Sequence, residues 1–362
     1  MLSKVISFLK NIDINIKVDV YLILAILLLL GFGMVVIWST NPVLAQKQFY
    51  FVLFGLVLFF TLSVFDYRNL ARISPYLFFL VVIFLVLTPI VGARVRGTGR
   101  WLSLGPLTFQ PSELAKLALI LVLSWFYCVS SLDSLHKFLV SLLIAIFTAG
   151  LVAIQPDLGT AVVLIALWVF VSFVAKIPLI YFIYSVLVTV LMLPIAWSIL
   201  APYQQERIYA FISPRSDPLG SGYNVLQAVI AVGSGMFFGR GLGRGPQSQL
   251  RFLPERTTDF AFASLAEEWG LLGACVLLGL FFLLLARLWK IASSSETGFG
   301  ALVTTGVFAV IFTQIIINVG MNVGIMPVTG LPLPLISAGG SSLITTLASL
   351  GLAHSVFIHT EN

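Results

Sequence analysis

The stretch RFLPERTTDFAFASLAEEWG, residues 251–270, runs without a break into LLGACVLLGLFFLLLA, residues 271–286. The second half reads as part of a helix that crosses a bilayer, for which about 20 apolar residues suffice. The first half sets Asp259, Glu267 and Glu268 at the mouth of that helix, where an unpaired charge in hydrocarbon costs several kcal/mol. A charge so placed needs a partner, a cavity or a task.

The surrounding chain carries the same signature. Its 362 residues are 59% hydrophobic and 9% charged, with 30 Phe and a mean hydropathy of +1.08, whereas a soluble domain is roughly a quarter charged. Two of the three histidines fall in the last nine residues, which leaves little for a His-rich metal site or a His-based triad. Cys128 and Cys275 lie in apolar runs and read as packing residues. Ten apolar runs begin near Val18, Gln48, Ser74, Ser112, Lys137, Leu158, Ile177, Phe260, Ala301 and Ser337. They are continuous and do not alternate, which predicts an all-α fold and excludes barrel strands. The expectation is a polytopic transmembrane helical bundle of about ten spans, one domain over residues 1–362, with a long extracytoplasmic loop at about 200–258. No internal repeat is evident, which weakens an inverted-repeat transporter. The run from Val20 to Trp38 is longer than a signal-peptide core, and VLA at 43–45 resembles a cleavage site only faintly, so the first span is read as retained.

With both termini cytoplasmic, the inner segments hold Lys4, Lys10, Lys17, Arg68, Arg72, Lys137, Lys176, Arg287 and Lys290, in line with the positive-inside rule. That orientation leaves an excess on the outside: Arg94, Arg96 and Arg100 in one loop, and Arg207, Arg215, Arg240, Arg244, Arg251 and Arg256 in another. Long loops cross regardless of charge, so a solvated surface is one reading. The other is an anion site, because the guanidinium fork matches phosphate oxygens and neither loop contains Lys. Glycines in GARVRGTGRWLSLG and AVGSGMFFGRGLGRG suit tight turns or close approach of backbone to a ligand.

Further polar residues stand at span ends. In FQPSELAK, Glu113 and Lys116 share a helix face behind Pro111, either as a local ion pair or as part of a cavity. Asp157 of QPDLGT is a helix cap or a site residue. In TTDF, Thr257 or Thr258 is expected to cap a helix with Asp259 in its first turn, where the dipole favours an ionised carboxylate able to accept a proton or hold a cation. Glu267 and Glu268 are read chiefly as structural, with Glu267 the nearer to the Asp259 side. The prolines of NVGMNVGIMPVTGLPLPLISAGGSS, 318–342, predict a re-entrant lip over a cavity.

Taken in order, RWLSLGPLTFQPSELAK, QPDLGTA, PYQQERI, DPLGSGYNVLQA, GSGMFFGRG, QSQLRFLPERTTDFAFASLAEEWG and NVGMNVGIMPVTGLPLPLISAGGSS resemble the SEDS family of bacterial cell-wall polymerases, which includes RodA and FtsW. QSQLRFLPE and NVGMNVG are more similar to the RodA, elongation, branch. The resemblance implies a glycosyltransferase that polymerises peptidoglycan glycan strands from lipid II at the outer face of the cytoplasmic membrane, with inversion and release of undecaprenyl pyrophosphate. It puts the catalytic acid on Asp259 and ties Glu113, Lys116, Asp157 and Trp101 to activity or the central cavity. It assigns the pyrophosphate to arginines among Arg94, Arg96, Arg100, Arg207, Arg215 and Arg240, together with Lys116 and a divalent cation, Mg or Mn. No organic cofactor and no nucleic acid are implied. The implied partners are a class B penicillin-binding protein that crosslinks the strands and other membrane proteins of the elongation complex. Two departures stand out: Thr257 where relatives commonly have His, and Ala338 where Tyr is usual. A lipid II flippase and a recruiting scaffold are the alternatives. Transport would need polar groups through the full depth of the bundle, whereas catalysis needs them near the outer opening.

Overall fold

The computed structural model describes residues 18–91, 93–95, 98–104, 107–199, 202–213 and 221–360. Lys4, Lys10, Lys17, Arg96 and Arg215 lie outside the described residues.

The ten apolar runs are ten helices: α1 (Val20–Thr40), α2 (Pro42–Val64), α3 (Arg68–Val91), α4 (Pro111–Val129), α5 (Ser134–Ile154), α6 (Leu158–Val174), α7 (Leu179–Ile199), α11 (Ala261–Ser294), α12 (Gly298–Asn322) and α13 (Gly340–Ile358). Eight are long and apolar enough to cross a membrane, and α6 and α7 supply the shorter apolar runs. Local chemistry starts several of them. Asp19 Oδ1 accepts from Leu22 N–H at 3.0 Å to cap α1, Asn41 Oδ1 accepts from Leu44 N–H at 3.1 Å before Pro42 opens α2, and Thr297 Oγ1 accepts from Gly300 N–H at 3.0 Å ahead of α12. Helices α4, α12 and α13 are buried over most of their length and form the centre, whereas α2, α3 and α5 turn most of theirs outward. Their apolar side chains are exposed because lipid covers them in place of protein.

Two features differ from the expectation. The bundle is not purely helical: β1 (Ala93–Val95), β2 (Thr98–Leu104) and β3 (Leu107–Phe109) form an antiparallel meander between α3 and α4. The long loop also holds three helices, α8 (Pro202–Ile212), α9 (Ser221–Ser234) and the short α10 (Pro246–Gln249).

Broken helices are tolerated in a bilayer only where the freed backbone groups find other partners. Pro89, inside α3, has no N–H to give the carbonyl of Leu85. Gln155 Nε2 donates to that carbonyl instead, at 2.8 Å. Helix α11 bends at Gly270, where φ is 65° and ψ is −164°. There Leu271 and Leu272 N–H donate to Met236 and Phe237 O at 2.9 and 3.2 Å, while Glu267 and Glu268 O accept from Arg240 and Gly241 N–H at 2.9 and 3.0 Å. Two helical bonds are thus exchanged for four to the loop. A Cβ on Gly235 would stand 1.9 Å from Ala266 O, and one on Gly239 2.1 Å from Glu268 O. Of the two readings the sequence left open, tight turns or close approach to a ligand, neither describes Gly235 and Gly239 of GSGMFFGRG, which bring backbone against a helix.

At the end of the bundle that carries Arg68, Lys137 and Lys176, Arg287 Nε and Nη2 donate to Asp19 Oδ2 at 3.0 and 2.6 Å, and Asp19 N–H donates to His354 Nε2 at 3.2 Å. This cluster ties α1, α11 and α13 together.

Candidate active site

At the opposite end, α4, α6, α11 and α13 all begin around one cavity of ≈ 280 Å³. Each helix N-terminus carries partial positive charge and unsatisfied N–H groups, so their convergence favours an anionic occupant. The meander contributes Arg100 and Trp101, the start of α4 contributes Gln110 and Glu113, and the start of α6 contributes Asp157 and Thr160. Glu255, Thr258 and Asp259 come from the segment ahead of α11, and residues 329–332, 338–339 and 341–342 complete the lining. The proline-rich segment between α12 and α13 is thus a wall of the cavity.

Asp259 does not sit in the first turn of α11. It lies one residue before the N-cap position Phe260, and neither Thr257 nor Thr258 caps the helix. Instead three successive carbonyls are held from elsewhere in the fold. Thr257 O accepts from Ala338 N–H at 2.7 Å, Thr258 O from Ser337 Oγ at 2.5 Å, and Asp259 O from Asn318 and Asn322 Nδ2 at 3.0 and 3.2 Å. Asn322 Oδ1 also accepts from Ala263 N–H at 3.0 Å, so α11 is capped from α12. Beside it lies Gly330, with φ at 76°, where a Cβ would make ordinary contact with Asp259 Oδ2 at 3.5 Å.

The other expected residues divide. Asp157 is both a cap and a crosslink, since Oδ1 accepts from Thr160 N–H at 3.2 Å and Oδ2 from Gln110 Nε2 and Ser112 Oγ at 2.9 and 3.0 Å. Glu113 lines the cavity, and its Oε2 meets Lys116 Nζ at 2.7 Å in a pair almost wholly buried. Lys116 is thereby neutralised behind the wall. Arg240 is elsewhere: its Nε donates to Ser234 O at 2.8 Å on its own loop. Arg94 falls in β1 and Arg207 in α8, and Arg96 and Arg215 are outside the described residues. Of the expected arginines, Arg100 is the one the described cavity contains. Glu267 is turned away from Asp259 and accepts from Gln247 and Ser248 N–H and from Ser248 Oγ, at 2.8, 2.9 and 2.7 Å, which secures α10.

Sequence reasoning missed Glu255, four residues before Asp259 and on the same wall; its Oε2 accepts from Thr258 Oγ1 at 2.8 Å. Glu255 also lines an adjoining cleft of ≈ 270 Å³ with Asn41, Arg251, Arg256 and Thr257. Burial, followed by repulsion from Arg251, presses the Arg256 guanidinium pKa below its ordinary value. Of the two departures, Ala338 does line the central cavity, whereas Thr257 belongs to the side cleft.

Among the described residues, no three His, Cys, Asp or Glu side chains gather to hold a metal. Asp259 and Glu255 share the cavity, however. An ion of the Mg²⁺ type keeps several waters and needs only one or two carboxylates when substrate phosphates supply the rest. The donor set fits such a substrate-borne ion and not a dedicated cage.

Residues 19–362 match the family model of FtsW, RodA and SpoVE, described as a cell cycle protein. The chain is 38% identical over 355 residues to the peptidoglycan glycosyltransferase MrdB of Escherichia coli K12, covering 96% of this chain and 95% of that protein. It is 31% identical over 421 residues to the peptidoglycan glycosyltransferase RodA of Treponema pallidum, covering 93% and 97%. Among solved structures, it is similar to a chain from work on the coordination of polymerization and crosslinking by a peptidoglycan synthase complex, with a TM-score of 0.83, 34% identity and coverage of 95% and 99%. It is also similar to the rod shape determining protein RodA of Thermus thermophilus, with a TM-score of 0.73, 31% identity and coverage of 96% and 99%.

Proposed function

The chain belongs to the FtsW/RodA/SpoVE family and is a multi-pass membrane peptidoglycan glycosyltransferase, and from that premise we propose that it is an elongation-type polymerase that extends glycan strands from lipid II, with Asp259 as general base. The observation that carries this reading is the position of Asp259 in a cavity ringed by helix N-termini and Arg100. The end of the bundle rich in Arg68, Lys137 and Lys176 is the cytoplasmic one by the positive-inside rule, so the cavity opens outward. Among the described residues the ionisable groups in spans gather at the two ends, which supports catalysis over a flippase path.

In the reaction the C4 hydroxyl of one sugar attacks the anomeric carbon of another with inversion. The O–C bond forms as the bond to the lipid diphosphate breaks, and the hydroxyl proton passes to the Asp259 carboxylate. Positioned base catalysis contributes about 10² to 10⁴ in rate. Charge developing on the diphosphate is stabilised by Arg100, by Arg251 and Arg256 of the adjoining cleft, and by the helix N-termini. A divalent cation carried with the diphosphate would be held by Glu255 and would supply further positive charge. The apolar flanks of the bundle receive the isoprenoid tail. Likeness to a chain from a peptidoglycan synthase complex supports pairing with a crosslinking partner, a class B penicillin-binding protein, within a membrane elongation complex. On this reading both termini face the cytoplasm.

The test is polymerisation of lipid II by the purified protein in lipid nanodiscs, with Mg²⁺ and with or without the partner. Asp259→Asn is expected to lose at least about 100-fold in rate while still binding lipid II. An Asn variant that polymerises at the wild-type rate would show the base to be elsewhere.

A further inference from the structure

Asn318 is fully buried in α12, one turn from Asn322. A primary amide has two N–H bonds to give. Both of those on Asn318 Nδ2 go to main-chain carbonyls on two segments that wall the cavity, one to Asp259 O at 3.0 Å and the other to Leu331 O at 2.7 Å. Those walls belong to separate parts of the chain, the approach to α11 and the proline-rich segment before α13. One side chain therefore sets the spacing between the residue that carries the carboxylate and the neighbour of Gly330, which faces that carboxylate. Asn322 adds a second donor to Asp259 O and caps α11, but it makes no bond to Leu331.

We infer that Asn318 is a positioning residue for the glycosyl transfer: it clamps the two walls of the cavity so that the Asp259 carboxylate stands at one fixed distance from the acceptor hydroxyl. The inference rests on the reading of Asp259 as the base. Aspartate at 318 could not substitute, because an ionised carboxylate has no donors. Alanine would take this donor from Leu331 O and leave Asp259 O to Asn322, removing the bridge between the two segments, and a displacement of about 1 Å at a reacting group costs on the order of 100-fold in rate.

The experiment compares wild type, Asn318→Ala, Asn322→Ala and Asp259→Asn in nanodiscs by lipid II titration. Hydrogen exchange is read in parallel, without substrate, on peptides covering 257–263 and 329–335. For Asn318→Ala the expected result is a kcat roughly 10- to 100-fold lower per folded molecule with KM held within about twofold, and faster exchange in both peptides. Asn322→Ala should quicken only the first peptide and lower kcat less. A merely structural asparagine would reduce the yield of folded protein and leave kcat per folded molecule unchanged, and that outcome overturns the inference. If Asn318→Ala does not fold, Asn318→Gln keeps both donors but displaces them by one methylene, and its kcat decides in the same way. An active Asp259→Asn brings down the base assignment and this inference together. An inactive Asp259→Asn beside an unimpaired Asn318→Ala brings down this inference alone.

Discussion

The hydrogen bond from Gln155 to Leu85 offers a measurement of what a missing N–H costs inside this bundle. Pro89 cannot donate to the Leu85 carbonyl, and Gln155, itself buried, does so at 2.8 Å. Gln155→Leu keeps most of the volume and leaves that carbonyl without a donor. An unsatisfied buried carbonyl costs about 1–3 kcal/mol, or roughly 5- to 150-fold in the ratio of folded to unfolded protein. The loss is expected toward the lower end, because Gln155 Oε1 is itself buried without a partner and its removal offsets part of the cost. Pro89→Ala restores the intrahelical donor, so Gln155→Leu placed in that background should cost less than about 0.5 kcal/mol. The assay is unfolding in mixed micelles with SDS, followed by tryptophan fluorescence, on the two single variants and the double. The difference between the two backgrounds is the coupling energy, expected at about 1 kcal/mol for groups that share one acceptor. Equal cost in both backgrounds would refute the argument, since Gln155 would then be acting through something other than the carbonyl that proline strands.

Lys116→Met leaves Glu113 buried and unpaired, and should destabilise by about 3–5 kcal/mol in the same unfolding assay, while adding Glu113→Gln recovers most of the loss. Recovery of stability without recovery of polymerisation would assign the pair to the reaction as well as to the fold. Gly239→Ala drives a Cβ to 2.1 Å from a backbone oxygen and should abolish folded protein, as measured by the monodisperse fraction after extraction. Gly243→Ala also has positive φ but meets nothing within 4 Å, and should cost only about 1–2 kcal/mol. Similar losses for both variants would mean that backbone contact is not what makes Gly239 necessary.

The spans were legible because continuous apolar runs leave few folds open to them, and most helices begin close to the expected residues, Leu158 on both counts and Ala261 against Phe260, although α2 and α3 begin well before them, at Pro42 against Gln48 and at Arg68 against Ser74. The cavity was legible in part. Glu113, Asp157 and Asp259 stand at span ends, where a charge advertises itself, and all three reach one space. The arginines were less readable, because a guanidinium can be drawn to any nearby carbonyl, as Arg240 is to Ser234 O. The meander was hidden in a segment rich in Arg and Gly that reads as loop. Main-chain acceptors were invisible altogether: Asn318 and Asn322 could be seen as a polar pair at i and i+4 on an apolar helix, but the carbonyl they share has no letter of its own in the sequence. The same blindness explains why the glycines of GSGMFFGRG suggested a tight turn or a ligand when the neighbour of Gly235 and Gly239 is a bent helix.

That bend is joined to its loop by main chain on both sides, so side-chain identity does not enter the joint. Met236, Phe237 and Phe238 point outward from it and are 76%, 55% and 78% exposed. Phe237 and Phe238 can be exchanged for other oily residues without breaking those bonds, whereas Met236, at a φ of 50°, disfavours β-branched ones and Gly239 admits no Cβ. The face presented there to lipid or to a companion protein can therefore be altered without touching the main-chain bonds of the bend.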